Sequence, residues 1–265
     1  MYRSPCDGPV NPYLVGAVTI TALMLLVWLI SLIISDVSIV DIAWGSGFVL
    51  VAWTTALTSG EWGPVTVVMV GATTLWGLRL SGYLAWRNLG HGEDPRYARM
   101  REGRGPSFRY TSLIIVFGLQ GLLMWIISMP QQATSASTAE IGALTALGIV
   151  VWAVGLAWEA AADLQLARFK ANPDNKGKVL DSGVWRFSRH PNYFGDFTVW
   201  WGLYLVAASA GAWWTIFAPA VMSFLLLRVS GVTLLEKSLT KTKPQYADYV
   251  ARTNAFFPGP PRRTP

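Results

Sequence analysis

From Leu23 to Ile34 the chain carries no charge and one hydroxyl, Ser31, and its apolar residues do not alternate with polar ones. Long apolar runs occupy about 13–34, 38–58, 64–86, 111–129, 141–163, 195–210 and 212–234. A helix that crosses a bilayer needs roughly 20 mostly apolar residues. It satisfies every backbone N–H and C=O inside the segment, which lipid requires. Closed barrels are the other spanning solution, but their strands alternate apolar and polar residues. The pattern therefore predicts an all-α polytopic membrane protein with seven transmembrane helices. The sixth run is short and ends at Gly211, which makes the last two a tight helical hairpin. Composition agrees: 52% of the residues are hydrophobic and 14% charged, against about 25% charged in soluble domains.

Charge sets the orientation. Nineteen of the 21 lysines and arginines lie in 87–109, 168–189 and 228–263, leaving Arg3 near the start and Arg79 inside an apolar run. Cytoplasmic loops carry such an excess. Seven spans then place the N-terminus outside and the C-terminus in the cytoplasm, with external connections at 59–63, 130–140 and near 211, none bearing Lys or Arg. The first apolar run lacks a cationic leader and a small-residue cleavage site, so it reads as a retained helix. The expectation is one integral-membrane domain over 1–265 in a bacterial inner membrane, acting as a monomer. The net charge of +6 is explained by basic loops beside anionic lipid headgroups, with no nucleic acid. Cys6, His91 and His190 are too few and too scattered for a zinc site, so no metal is expected. The tail Phe257-Pro258-Gly259-Pro260-Pro261 is a non-helical end.

Ionisable groups within spans are costly and mark function by default. Asp41, early in the second span, either caps that helix in competition with Asp36 or Ser38, or faces a cavity and holds or relays a proton. Arg79 shares a helical face with Trp76 and Tyr83, and either snorkels or serves the site. The loop 87–97 mixes turn formers with Arg87, His91, Glu93, Asp94 and Arg96, which by composition is a solvated loop with local ion pairs. Glu159 and Asp163, at i and i+4, repel each other unless a ribose hydroxyl, an amide or an arginine lies between them. Arg168, nearby with Gln165 and Lys170, is the alternative partner. Finally, Arg186, Ser188, Arg189, His190, Pro191, Asn192, Tyr193 and Asp196 lie just before the sixth span. Pro191 is placed to open that helix, and a helix N-terminus beside two arginines suits an anion. A plain juxtamembrane basic stretch explains the arginines but not Asn192, Tyr193 and Asp196. No Gly-x-Gly-x-x-Gly follows a strand and no Walker loop is present, so a nucleotide would bind outside a Rossmann fold.

The run Arg186-x-x-Arg189-His190-Pro191-Asn192-Tyr193-x-Gly195-Asp196, followed by Glu236-Lys237, Tyr246-x-x-Tyr249 and Phe257-Pro258, resembles the membrane steroid 5α-reductase family. Relatives of that family include sterol C14 and C7 reductases and isoprenylcysteine carboxyl methyltransferases. Trp76-Gly77-Leu78-Arg79-Leu80 and Gly92-Glu93-Asp94-Pro95-Arg96-Tyr97 resemble its bacterial branch. The resemblance implies a seven-helix enzyme that reduces the C=C bond of a lipophilic enone, such as a 3-oxo-Δ4 steroid arriving from the bilayer, with NADPH under the cytoplasmic loops. It puts Asn192, Asp196, Glu159, Asp163, Lys170 and Arg228 on the cofactor. Lys178, Arg186, Arg189 and the 87–104 loop would serve its phosphates, and Arg87, His91, Glu93 and Arg96 of that loop are expected at the cofactor. Arg79, Arg168, His190, Tyr193, Glu236, Tyr246 and Tyr249 complete the proposed cofactor set. The family grips its substrate carbonyl with a Gln-Glu pair and a tyrosine. Here Asp41 stands for the glutamate without a neighbouring glutamine, and the tyrosine position falls on Trp76, with Tyr83 one helical repeat away.

Charge develops on the carbonyl oxygen as hydride reaches the β carbon, so a fixed donor there lowers the barrier. Tyr83 or a protonated Asp41 can supply it; contact between Arg79 and Asp41 would instead keep the carboxylate charged. The rival reading is an S-adenosylmethionine-dependent methyltransferase on a lipophilic substrate, and a third is a non-enzymatic lipid-binding protein.

Overall fold

The computed structural model of the chain describes residues 10–229 and 246–262, and all regular structure among them is helical. Five helices are long and apolar enough to cross a membrane: Pro12–Ile34, Ile39–Ser59, Pro64–Asn88, Pro95–Ile127 and Ala143–Ala171. These mark an integral membrane protein in contact with lipid. The sixth predicted span is the helix Pro191–Ser209, and the seventh begins as the shorter apolar helix Trp213–Arg228.

The first three helices are α1 (Pro12–Ile34), α2 (Ile39–Ser59) and α3 (Pro64–Asn88). The fourth span is jointed. It comprises α4 (Pro95–Arg104), a 3-10 turn at Gly105–Ser107, α5 (Phe108–Ser112), a π-helical turn at Leu113–Gly118 and α6 (Leu119–Ile127). Then come α7 (Met129–Ala133), α8 (Ala143–Ala171), α9 (Pro191–Ser209), α10 (Phe217–Phe224) and α11 (Tyr246–Arg252). Helix starts follow local chemistry. Pro12, Pro64, Pro95 and Pro191 each open a helix, where the missing N–H costs nothing. Asn11 caps α1, its Oδ1 accepting from the N–H groups of Tyr13 and Leu14 at 2.9 and 3.3 Å. The chain reverses after α9 at Gly211, whose φ of 84° is the left-handed region that glycine enters freely.

The chain divides into two compact units, Met1–Thr145 with Val206–Ala218, and Ala146–Leu205 with Pro219–Pro265. In the first, α2 and α3 cross at Gly45 and Gly77. A Cβ on Gly45 would sit 2.4 Å from the Gly77 carbonyl oxygen, and one on Gly77 would sit 2.5 Å from that of Gly45. Close backbone approach through small residues is how helices associate in lipid, where the hydrophobic effect between them is absent. Beside the crossing, the Ser46 N–H donates to Ser81 Oγ at 2.8 Å. In the second unit, Gly155, Gly195 and Gly202 bring α8 and α9 together in the same way, and Trp201 Nε1 donates to Ser223 Oγ at 3.2 Å.

Two expectations change. The segment 130–140, expected as an external loop, begins as α7, where Gln131 and Gln132 are buried, followed by the buried Thr134 and Ser135. Two carbonyls of this segment take donors from other helices: Thr66 Oγ1 donates to that of Thr134 at 2.7 Å and Ser59 Oγ to that of Ser135 at 2.7 Å. α8 also runs on to Ala171, so Gln165, Arg168 and Lys170 extend the helix that carries Glu159 and Asp163.

Candidate functional site

In the first unit, polar side chains gather where α4 meets the start of α2. Gly90 and Gly92, both at φ 81°, turn the chain out of α3 toward Glu93 and Asp94. Asp94 caps α4, its Oδ1 accepting from the Arg96 N–H at 2.8 Å. Its own N–H donates to Ser38 Oγ at 3.3 Å. Glu93 accepts from the Val37 N–H at 2.9 Å and from Arg101 Nε and Nη2 at 2.8 and 2.7 Å. Burial raises both carboxyls, but the hydrogen bonds and charges of Arg101 on Glu93, and of Arg96 on Asp94, outweigh it. Each therefore lies below the ordinary carboxylate range. The loop expected as solvated is tied to α2 by these two acids.

That docking completes a cluster around Asp41. Arg96 Nη2 donates to Asp41 Oδ2 at 2.8 Å, and the Tyr97 hydroxyl donates to Oδ1 at 2.8 Å. Gln120 Nε2 lies 3.1 Å from the Tyr97 oxygen and 3.4 Å from Asp41 Oδ1. Asp41 does not cap α2: Ser38 holds the cap position, and Asp36 Oδ1 accepts from the Ser38 N–H and hydroxyl at 2.8 and 2.5 Å. The arginine on Asp41 is Arg96, from the loop; Arg79 is half-buried on α3. Tyr83 lies elsewhere, with Trp86 6.1 Å away and the Arg87 guanidinium 5.6 Å from its ring. Trp76 is fully buried, with its ring 5.8 Å from that of Phe48. Arg87 Nε donates to Asn88 Oδ1, and the exposed His91 lies against the Leu89 carbonyl. Gln120 was legible as a polar residue within an apolar run, but an amide carries no charge to draw attention. Tyr97 lay in the motif that carried the resemblance, with no local sign that its hydroxyl reaches α2.

In the second unit, Glu159 and Asp163 are 3% and 5% exposed on α8, and Asn192 Nδ2 lies 3.5 Å from Asp163 Oδ1. Asp196 is half-buried one turn beyond Asn192 on α9. Pro191 opens α9, and the ring of the buried His190 stacks on Tyr193 at 5.7 Å. Ser188 organises the entry: its Oγ donates to the Phe256 carbonyl at 2.7 Å and accepts from the His190 N–H at 3.1 Å. Arg189, expected on a phosphate, sends Nη1 to the carbonyls of Val250 and Thr253 at 3.1 and 2.8 Å. The Tyr249 hydroxyl donates to the Trp185 and Ser188 carbonyls, with burial pushing its pKa up, and the Tyr246 ring lies 5.8 Å away. Arg189, Tyr246 and Tyr249 thus fix the C-terminal segment against the His190 turn. Arg168, Lys170, Lys178, Arg186 and Arg228 are exposed; Glu236 lies outside the described residues. The tail is non-helical and packed: Phe256 and Phe257 lie 5.6 and 5.9 Å from Phe197. Among the described residues no group of side chains could hold a metal ion.

Helical spans with buried carboxylates beside an amide and exposed cations define a class: an integral membrane protein with a polar site at helix ends. The chain belongs to the family described as "Protein of unknown function (DUF1295)", whose model matches residues 27–253. That family is tied to steroid 5α-reductase-like membrane proteins. The chain is 40% identical over 74 residues to "Probable O-methyltransferase ustE" of Ustilaginoidea virens, a match covering 26% of each chain. It is 26% identical over 281 residues to "Uncharacterized protein C594.04c" of Schizosaccharomyces pombe, covering 94% of this chain and 80% of that one. The first of these relatives is thus spanned over about a quarter of its length. No solved structure matches the chain.

Proposed function

We propose that the protein is an NADPH-dependent reductase of the C=C bond of a lipophilic enone, with a 3-oxo-Δ4 steroid and its 5α-dihydro product as the reference pair. The observation that carries this reading is the Tyr97 hydroxyl, held between Asp41 and Gln120. Rotation about its C–O bond turns the same proton from Asp41 toward a substrate carbonyl. A hydroxyl already held at the site needs only that rotation to meet the negative charge that reaches the oxygen. Arg96 holds Asp41 from the other side and fixes the cluster. The α carbon then takes a proton from solvent or a relay.

The second unit supports a nucleotide. Buried Glu159 and Asp163 suit hydroxyl and amide hydrogens, as a ribose or a carboxamide presents, and Asn192 adds both a donor and an acceptor. Exposed Arg186, Lys178 and Arg168 suit phosphates. When bound, the reduced nicotinamide supplies hydride. In this reading all seven apolar runs cross the bilayer, with the N-terminus outside, the basic loops cytoplasmic and the substrate entering from lipid.

The relative named as a probable O-methyltransferase favours a second reading, in which the same acids hold the ribose and ammonium of S-adenosylmethionine. Calorimetric titration of the purified protein with NADPH, NADP and S-adenosylmethionine separates the two. Saturable heat from the nicotinamide nucleotides, with turnover of a 3-oxo-Δ4 steroid, supports the reductase. Heat from S-adenosylmethionine alone overturns it.

A further inference from the structure

A cavity of about 50 Å³ opens in the first unit where the end of α1 meets α4 and α5; of the 87–104 loop only Arg101 lines it. Arg101, Arg109, Ser31, Ser35 and Ser112 form its polar wall. A single water needs about 10–15 Å³ of such space, so the cavity takes about four water-sized atoms, near the size of a phosphate. Arg101 is matched by Glu93, and its Nη2 also donates to the Ser35 carbonyl at 3.2 Å. That bond neutralises the negative end of α1, which would otherwise repel an anion. Arg109 is different: its guanidinium makes no hydrogen bond or ion pair among the described residues, while its carbonyl accepts from Trp28 Nε1 at 3.3 Å. The cavity thus carries one uncompensated cation on a neutralised rim.

Its flanks are apolar and open. Ile33, next to the cavity-lining Leu32, is 82% exposed; Ile114, two residues beyond Ser112, is 76% exposed; Tyr110 is 65% exposed. Isoleucines so exposed beside a basic cavity at the end of spanning helices suit acyl chains below a charged headgroup, and basic pockets in that position hold anionic lipids. We propose that this cavity binds the phosphate of an anionic membrane lipid through Arg109 and the Ser35 hydroxyl, Ser31 and Ser112 already donating to the carbonyls of Trp28 and Arg109, independently of the reaction the protein catalyses.

The test is calorimetry on the full-length protein in neutral detergent, titrated with short-chain phosphatidylglycerol, phosphatidylcholine and inorganic phosphate. Phosphatidylglycerol should bind saturably and phosphatidylcholine, whose choline neutralises the phosphate, far more weakly. Arg109→Ala should weaken phosphatidylglycerol by about tenfold or more, the effect of losing a charge-assisted hydrogen bond. Arg109→Lys, which keeps the charge but not the planar fork, should fall between. The Trp28 bond is to the backbone, so both variants retain it, and an unchanged melting temperature confirms folding. Equal affinity of parent and Arg109→Ala overturns the site, as does equal binding of the two lipids. Inorganic phosphate that binds as tightly as phosphatidylglycerol and is lost in Arg109→Ala overturns the lipid as its source.

Discussion

The contact of α8 with α9 predicts opposite fates for two glycine-to-alanine substitutions. At Gly195 an added Cβ would lie 2.5 Å from the Glu159 nitrogen, 2.6 Å from its Cβ and 2.7 Å from its Cα. Two of those atoms are helix backbone, so no rotamer change relieves the clash. Carbon atoms rest about 3.5–4.0 Å apart, so the helices must separate by about 1 Å at this point. Overpacking of this kind costs about 1–3 kcal/mol. At Gly71 a Cβ meets nothing within 4 Å. There alanine gains only the helix propensity that glycine lacks, about 1 kcal/mol. That propensity gain applies at both sites, so the melting difference between Gly195→Ala and Gly71→Ala reports the clash alone. With about 2–4 °C per kcal/mol for a domain of this size, Gly195→Ala should melt below Gly71→Ala by about 2–12 °C, followed by tryptophan fluorescence in detergent. The separation also pulls Asn192 from Asp163, so Gly195→Ala should bind the cofactor more weakly. Coincident melting curves for the two variants would refute the close approach of α8 and α9, and with it the packing that buries Glu159.

Three other outcomes follow from the two clusters. Tyr97→Phe removes the donor but keeps the ring; it should lower steroid turnover by about 10²–10³-fold with little change in cofactor affinity, and unimpaired turnover would exclude Tyr97 from catalysis. Glu93 has its folded pKa below the ordinary value of 4.5, so its contribution is complete above that pH and is lost as pH falls through the folded pKa. Glu93→Gln should therefore flatten the loss of stability on acidification below about pH 4.5 in denaturation scans, and identical acid profiles would show that the pair with Arg101 contributes nothing. Arg189→Ala should speed amide exchange across 246–262 by about tenfold or more, since each of its two bonds to carbonyls is charge-assisted; exchange like the parent's would show that these bonds do not hold the segment.

Membrane-spanning helices were legible in the order of residues because lipid leaves the backbone so few options. The apolar run 13–34 is long enough to cross a bilayer, and its lack of charge or alternation from Leu23 to Ile34 requires a helix there. Helix starts were legible at Pro191 for a local reason, since proline suits the first turn wherever the rest of the chain lies. The pairing of Glu159 with Asp163 was legible from the helical repeat, and Asn192 from the motif before α9. Which arginine meets Asp41 was not. Arg79 is nearer in sequence, but Arg96 arrives because Glu93 and Asp94 dock on the start of α2, a contact between segments 56 residues apart. The buried 131–135 segment was missed likewise, because the partners of its Thr134 and Ser135 carbonyls, Thr66 and Ser59, come from other helices.

Sequence alone determined the solvent: a chain this apolar, with 19 of its 21 cations in three segments, belongs in a bilayer, because neither fact depends on how the helices meet. Tertiary structure decided the chemistry. Hydrogen bonds act over about 3 Å, and only packing brings Asp41, Tyr97 and Gln120 within that reach or joins Arg189 Nη1 to the carbonyls of Val250 and Thr253.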